Sequence, residues 1–183
     1  MYGLVNRALQ SLVTQKLGRE GWREICEKVE IDEQGFVNFM LYPDSLTYQL
    51  AAEAAKKMNI TLEQALEAFG EHWILFTVDE GYGDLINICG SSFVEFLSNI
   101  NSLHTRIRLL HPSISPPKII CSDIQTDYLK IHYYSKRDGL APMVVGLIKG
   151  LAKRFNTTVD IKLTQAKADG HDHDEFEVKF TCH

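Results

Sequence analysis

Six residues, Phe93, Phe96, Leu97, Ile100, His104 and Ile107, recur at spacings of three and four, which puts a histidine in the middle of the apolar face of a helix. An imidazole there must hydrogen-bond, titrate or coordinate, because a buried polar group left unpaired costs about 1–3 kcal/mol. Neutral imidazole is a frequent ligand of metals, heme iron included, yet a lone inward histidine is more often a satisfied core residue. A second group is Tyr133-Tyr134-Ser135-Lys136-Arg137. Side chains two apart in an extended segment share a face, so Tyr133, Ser135 and Arg137 offer two hydroxyls and a guanidinium in line. That array suits a pair of carboxylates, with arginine as a charged fork. A strand end bearing a surface arginine would read the same way.

The remaining candidates are weaker. His111 lies one turn beyond Ile107 but just before Pro112, at a helix end, and is the nearest competitor of His104. The run His171-Asp172-His173-Asp174-Glu175 has the composition to grip a metal, but beside Gly170 it reads as a solvated acidic loop. Cys26, Cys89, Cys121 and Cys182 form no CxxC pair. A structural zinc site on cysteine therefore lacks its close-spaced ligands, and the four read as small core residues.

The elements that must position these residues are helical first and extended later. Val5, Leu9 and Leu12 lie at helical spacing until Gly18, and Trp22, Ile25 and Val29 resume it. Asp44, after Tyr42-Pro43, reads as the N-cap of a helix to Met58. Thr61-Leu62-Glu63-Gln64 matches a capping box that opens a helix through Phe69, Trp73 and Phe76. Ser91 or Ser92 caps the helix from Phe93, and Pro112 ends it. Beyond Pro116-Pro117 the pattern alternates at Ile119 and Cys121, then at Leu129, Ile131 and Tyr133. A helix over 141–155 follows, then Val159, Ile161 and Leu163, and Phe176, Val178 and Phe180, around a turn at Ala168-Asp169-Gly170. The expected class is α+β, one domain over 1–183 whose lobes share a core.

Composition narrows the function. The chain has 183 residues, 45% hydrophobic and 23% charged, an ordinary globular balance. A net charge of -5 without a basic stripe argues against nucleic acid. No run approaches the roughly 18 apolar residues of a membrane span, and no secretory signal is visible at the start, so a cytoplasmic protein is expected.

Tyr133, Ser135 and Arg137 match Tyr-x-Ser-x-Arg, which resembles the heme-propionate motif of heme-nitric oxide/oxygen binding (H-NOX) domains, the family of the soluble guanylate cyclase heme domain. Asn99-Ile100-Asn101-Ser102-Leu103-His104 resembles the segment carrying the family's proximal histidine, with Asn101 where an aspartate is frequent. Pro116-Pro117, Met1-Tyr2-Gly3-Leu4-Val5-Asn6, Phe69-Gly70-Glu71-His72-Trp73 and Gly139-Leu140-Ala141-Pro142-Met143 also read as family sequence. The likeness runs from Met1 to about Phe180 and is of the stand-alone bacterial type.

The resemblance implies a helical distal lobe (1–65) and a proximal lobe with a four-stranded antiparallel sheet (66–183), clasping a b-type heme. It implies that His104 is the axial ligand of the iron and that Tyr133, Ser135 and Arg137 hold the propionates. Val5 and Pro117 would press on the porphyrin, and Asp44 would pair with Arg137. On the gas side, family members that hold oxygen carry a tyrosine; the matching position is Met143, whose thioether donates nothing. Trp73 would face the same side and mainly supply bulk. The expected function is a non-enzymatic sensor that binds nitric oxide (and carbon monoxide), excludes oxygen, and signals to a separate histidine kinase or diguanylate cyclase. The alternatives are an oxygen-binding member and an apolar small-molecule module without heme. A heme peroxidase or dioxygenase would need a distal acid–base residue that Met143 and Trp73 do not supply.

Overall fold

In the computed structural model, residues 1–33 and 35–183 are described, with side chains for all of these except residues 81, 82, 85 and 86. Helix α1 (Gly3–Val29) breaks at Gly18, whose φ of 73° lies in the left-handed region that glycine adopts without strain, so the two expected apolar runs form two helical pieces. Helix α2 spans Asp44–Met58. Asp44 is not its N-cap: Pro43 holds that position, and Asp44 is the first helical residue with its side chain engaged elsewhere. Helix α3 (Leu62–Thr77) opens with the expected capping box, Thr61 accepting from Gln64 N while the Gln64 side chain accepts from Thr61 N. The lobe boundary expected at residue 65 therefore falls within α3. A π-helical turn (Val78–Tyr82) and the short α4 (Gly83–Asn87) lead to α5 (Phe93–Leu110), which Ser92 caps and Pro112 follows.

The last third forms a four-stranded antiparallel sheet of β1 (Lys118–Ser122), β2 (Tyr128–Tyr134), β3 (Thr157–Gln165) and β4 (Asp174–Cys182), in the order β1-β2-β4-β3. Helix α6 (Ala141–Arg154) is inserted between β2 and β3. A 3-10 turn (Lys167–Asp169) closed by Gly170 at φ 93° joins β3 to β4. The α+β class is as expected.

Alternation on β2 and β4 sends Leu129, Ile131 and Tyr133, and Phe176, Val178 and Phe180, to one buried face. The Phe93 ring of α5 meets Phe180 at 5.6 Å, and Phe96 meets Phe155 at 6.1 Å. One continuous apolar cluster runs from Leu4 and Leu9 of α1 to Phe176 and Val178 of β4, so helices and sheet share a core. The closest approach is between α3 and α6. A methyl group at Gly146 would overlap the Glu67 carbonyl, and one at Gly70 the Met143 carbonyl, so at both points only glycine lets the backbones meet. Cys26 and Cys89 are buried, Cys121 is half-buried and Cys182 is exposed, which corrects the core reading for the last; none of the four is in a disulfide.

Candidate cofactor-binding site

The apolar stripe of α5 is buried at Phe93, Phe96, Leu97 and Ile100, then loses its protein cover: His104 and Ile107 are only half-buried. At that point His104 Nδ1 lies 3.0 Å from the Pro117 carbonyl oxygen. A carbonyl only accepts, so Nδ1 carries the proton and Nε2 keeps its lone pair. Burial pushes the His104 pKa down, with the Pro117 bond opposing, so the ring is neutral at neutral pH. Among the described residues Nε2 has no hydrogen-bond partner, and it stands where the stripe is uncovered.

Pro117 is held in place one turn away. Asn101 donates through Nδ2 to the Ile119 carbonyl and accepts from Ile119 N at 3.0 Å through Oδ1. Asn101 and His104 thus clamp residues 117–119 at two points. An aspartate at 101 could accept but not donate, so the departure from the family pattern has a structural use.

Tyr133 is the penultimate residue of β2 and is buried; Ser135 and Arg137 lie just past the strand, half-buried. Ser135 Oγ accepts from Arg137 N at 3.1 Å, and burial raises the Tyr133 pKa against a hydrogen bond with Ser135. Arg137 forks onto Asp44, Nε to Oδ2 at 2.9 Å and Nη2 to Oδ1 at 3.4 Å, and gives Nη1 to the Ser115 carbonyl at 3.3 Å. The expected Asp44–Arg137 pair is present. Partial burial pushes the Asp44 carboxyl up, but hydrogen bonds from the N-terminal ammonium and Arg137 outweigh it and hold the pKa low. An arginine has five N–H groups, so two remain for another acceptor.

The other expected residues fall on three elements. Val5 is buried in α1, Trp73 is half-buried in α3 with its ring edge-on to Phe69 at 6.4 Å, and Met143 is half-buried in the first turn of α6. The crossing at Gly70 sets the Met143 backbone against α3 one turn before Trp73. Among the described residues the Trp73 indole N–H finds no acceptor. His111, the nearest competitor of His104 in the sequence, is the C-cap residue of α5 and stacks on Phe39 at 3.8 Å. The acidic run is less solvated than expected: Asp174 is buried and accepts from Lys167 N, while His173 and Glu175 are half-buried beside His132. His132 had no motif to mark it in the sequence; only strand pairing brings it there.

The lone pair at His104 suits a metal, and the spare donors at Arg137 suit carboxylates. One ligand that carries both an iron and two carboxylates is a heme, and the fold and donor set define a heme-binding domain. The chain belongs to the family described as haem-NO-binding, whose HNOB model matches residues 2–163. It is 32% identical over 175 residues, 92% of this chain, to the soluble guanylate cyclase gcy-35 of Caenorhabditis elegans, and spans about a quarter of that relative's length (25%). An H-NOX protein from S. oneidensis in the Fe(II)NO state superposes with a TM-score of 0.89 over 99% of both chains, at 21% identity. An oxygen-binding H-NOX domain related to soluble guanylate cyclases, in its oxygen complex, matches with a TM-score of 0.83 and 18% identity over 99% of this chain and 95% of its own. The fold therefore does not choose between gases. H-NOX domains are heme-based gas-sensor domains and not catalytic ones. No helix among the described residues is long and apolar enough to cross a membrane.

Proposed function

We propose that this chain is a sensor domain that binds a b-type heme through His104, takes nitric oxide in preference to oxygen, and passes the event to a separate histidine kinase or diguanylate cyclase. The observation that carries the reading is the His104 Nδ1–Pro117 hydrogen bond of 3.0 Å, which presents a neutral Nε2 lone pair at the uncovered end of an apolar stripe. Heme held there by His104 would supply a ferrous iron able to bind NO or CO. Tyr133, Ser135 and Arg137 hold the propionates, and Asp44 keeps the guanidinium aimed. Val5 and Pro117 pack on the porphyrin, and the division into lobes 1–65 and 66–183 belongs to this proposal. Four cysteines, none of them in a disulfide, suit a reducing cytoplasm.

Selectivity rests on what the gas side withholds. Oxygen held on ferrous iron gains from a hydrogen-bond donor, whereas nitric oxide has little need of one, and Met143 offers none. The specific observation favouring the second reading, an oxygen-binding domain, is the unpaired Trp73 N–H. Reduced, heme-loaded protein decides between them by its absorption spectrum in air and under NO. A stable NO complex and no persistent oxygen complex are expected; a persistent oxygen complex overturns the selectivity. Met143→Tyr is expected to raise oxygen affinity about tenfold to a hundredfold, since a hydrogen bond to a partly charged acceptor is worth about 1.5–3 kcal/mol.

A further inference from the structure

The sheet face opposite Tyr133 carries a second cluster of ligating side chains, independent of His104. His132 on β2 and Glu175 on β4 are cross-strand partners. His173, just before β4, sits over them, its ring stacked on Tyr134 at 4.3 Å. Nδ1 of His132 is 3.0 Å from Nε2 of His173 and 3.5 Å from Oε2 of Glu175, and the three ligand atoms lie within 4.8 Å of one another. Two ligands held at about 2.0–2.1 Å by a tetrahedral ion stand roughly 3.3 Å apart, so the cluster already has nearly the required spacing.

Outer contacts orient every member. Nδ1–H of His173 donates to Asp172 Oδ1 at 2.6 Å, which leaves Nε2 as a lone pair; a carboxylate behind a ligating imidazole is the usual support of a metal site. His132 Nε2 is 2.8 Å from Ser122 Oγ on β1. Without an ion, His132 donates through Nδ1 to His173 and accepts from the serine. With an ion, the His132 proton moves to Nε2 and the serine hydroxyl turns to accept it, which costs no change in protonation count. Glu175 Oε1 accepts from Thr164 at 2.9 Å, leaving Oε2 facing the two rings. Lys130 Nζ, 3.4 Å from Glu175, opposes a cation and limits the affinity. The side chains of His132, His173 and Glu175 are 19%, 13% and 19% exposed, enough to admit water without leaving the cluster in bulk solvent.

We infer that His132, His173 and Glu175 form a binding site for a divalent ion of the zinc class, His132 ligating through Nδ1 and His173 through Nε2, with a fourth position left to water. Two imidazoles, one carboxylate and an open position are a ligand set that suits zinc. The test is a Zn2+ titration of the heme-loaded chain against a chromophoric chelator. One ion per chain is expected, with His132→Gln and His173→Gln each weakening it at least about tenfold and His171→Gln, an exposed neighbour outside the cluster, leaving it unchanged. Histidine side-chain 1H–15N spectra of the unmutated protein give a readout that does not depend on the variants folding. They should show metal at His132 Nδ1 and His173 Nε2. No binding at micromolar zinc, binding that survives both glutamine variants, or nitrogen shifts at other histidines would overturn the site.

Discussion

Arg137 gives three of its five N–H groups to the protein, and the two left over set what its loss should do if they hold a propionate. The three go to Asp44 and Ser115. A charge-assisted hydrogen bond contributes about 1.5–3 kcal/mol and a neutral one about 0.5–1.5 kcal/mol. Arg137→Ala should therefore speed heme loss to an apo-globin acceptor more than Tyr133→Phe does; equal loss rates for Tyr133, Ser135 and Arg137 variants would make the motif structural. His104 gives a second prediction, in pH. Burial lowers its folded pKa, so the unfolded chain, titrating at about 6.5, takes up the proton first. The stability it permits is complete above that pH and falls as pH drops toward the folded value. Urea midpoints of the heme-free chain between pH 7.5 and 5 should show a decline that His104→Gln reduces. An identical decline in the variant would assign it to other groups, such as His72, whose pKa burial also lowers.

At the scale of elements, the approach of α3 to α6 is the contact that fixes the relation of Trp73 to Met143. Gly146→Ala forces the two backbones apart at the Glu67 carbonyl, and overpacking of this kind costs about 1–3 kcal/mol. The urea midpoint should fall accordingly, and an unchanged midpoint would show that the helices can separate freely. This contact was not legible in the sequence, because periodicity says which face of a helix is buried and not how near its neighbour comes. Capping was legible where a side chain competes for specific backbone groups: Thr61 with Gln64, and Ser92 with Glu95 N. It misled at Asp44, whose carboxylate pairs with Arg137, 93 residues away, instead of capping α2. The strand alternation located all four strands, but not their order, and so not the meeting of His132 with His173.

Across the whole molecule, one apolar core joins the N-terminal helices to the sheet, and the stripe of α5 runs from that core out to His104. His104, Tyr133, Ser135 and Arg137, the residues proposed for the iron and the propionates, stood out in the sequence through the apolar stripe and the Tyr-x-Ser-x-Arg spacing. The acceptor behind His104 was not legible, since the Pro117 carbonyl is backbone and leaves no mark in the sequence; nor was the clamp Asn101 makes on Ile119. The most direct measurement is the ferrous absorption spectrum of heme-loaded His104→Gly, with and without imidazole. Loss of heme, or a spectrum that returns to that of the parent only when imidazole is added, is the result expected if Nε2 of His104 holds the iron. An unchanged ferrous spectrum without imidazole would contradict it and put the ligand elsewhere in the chain.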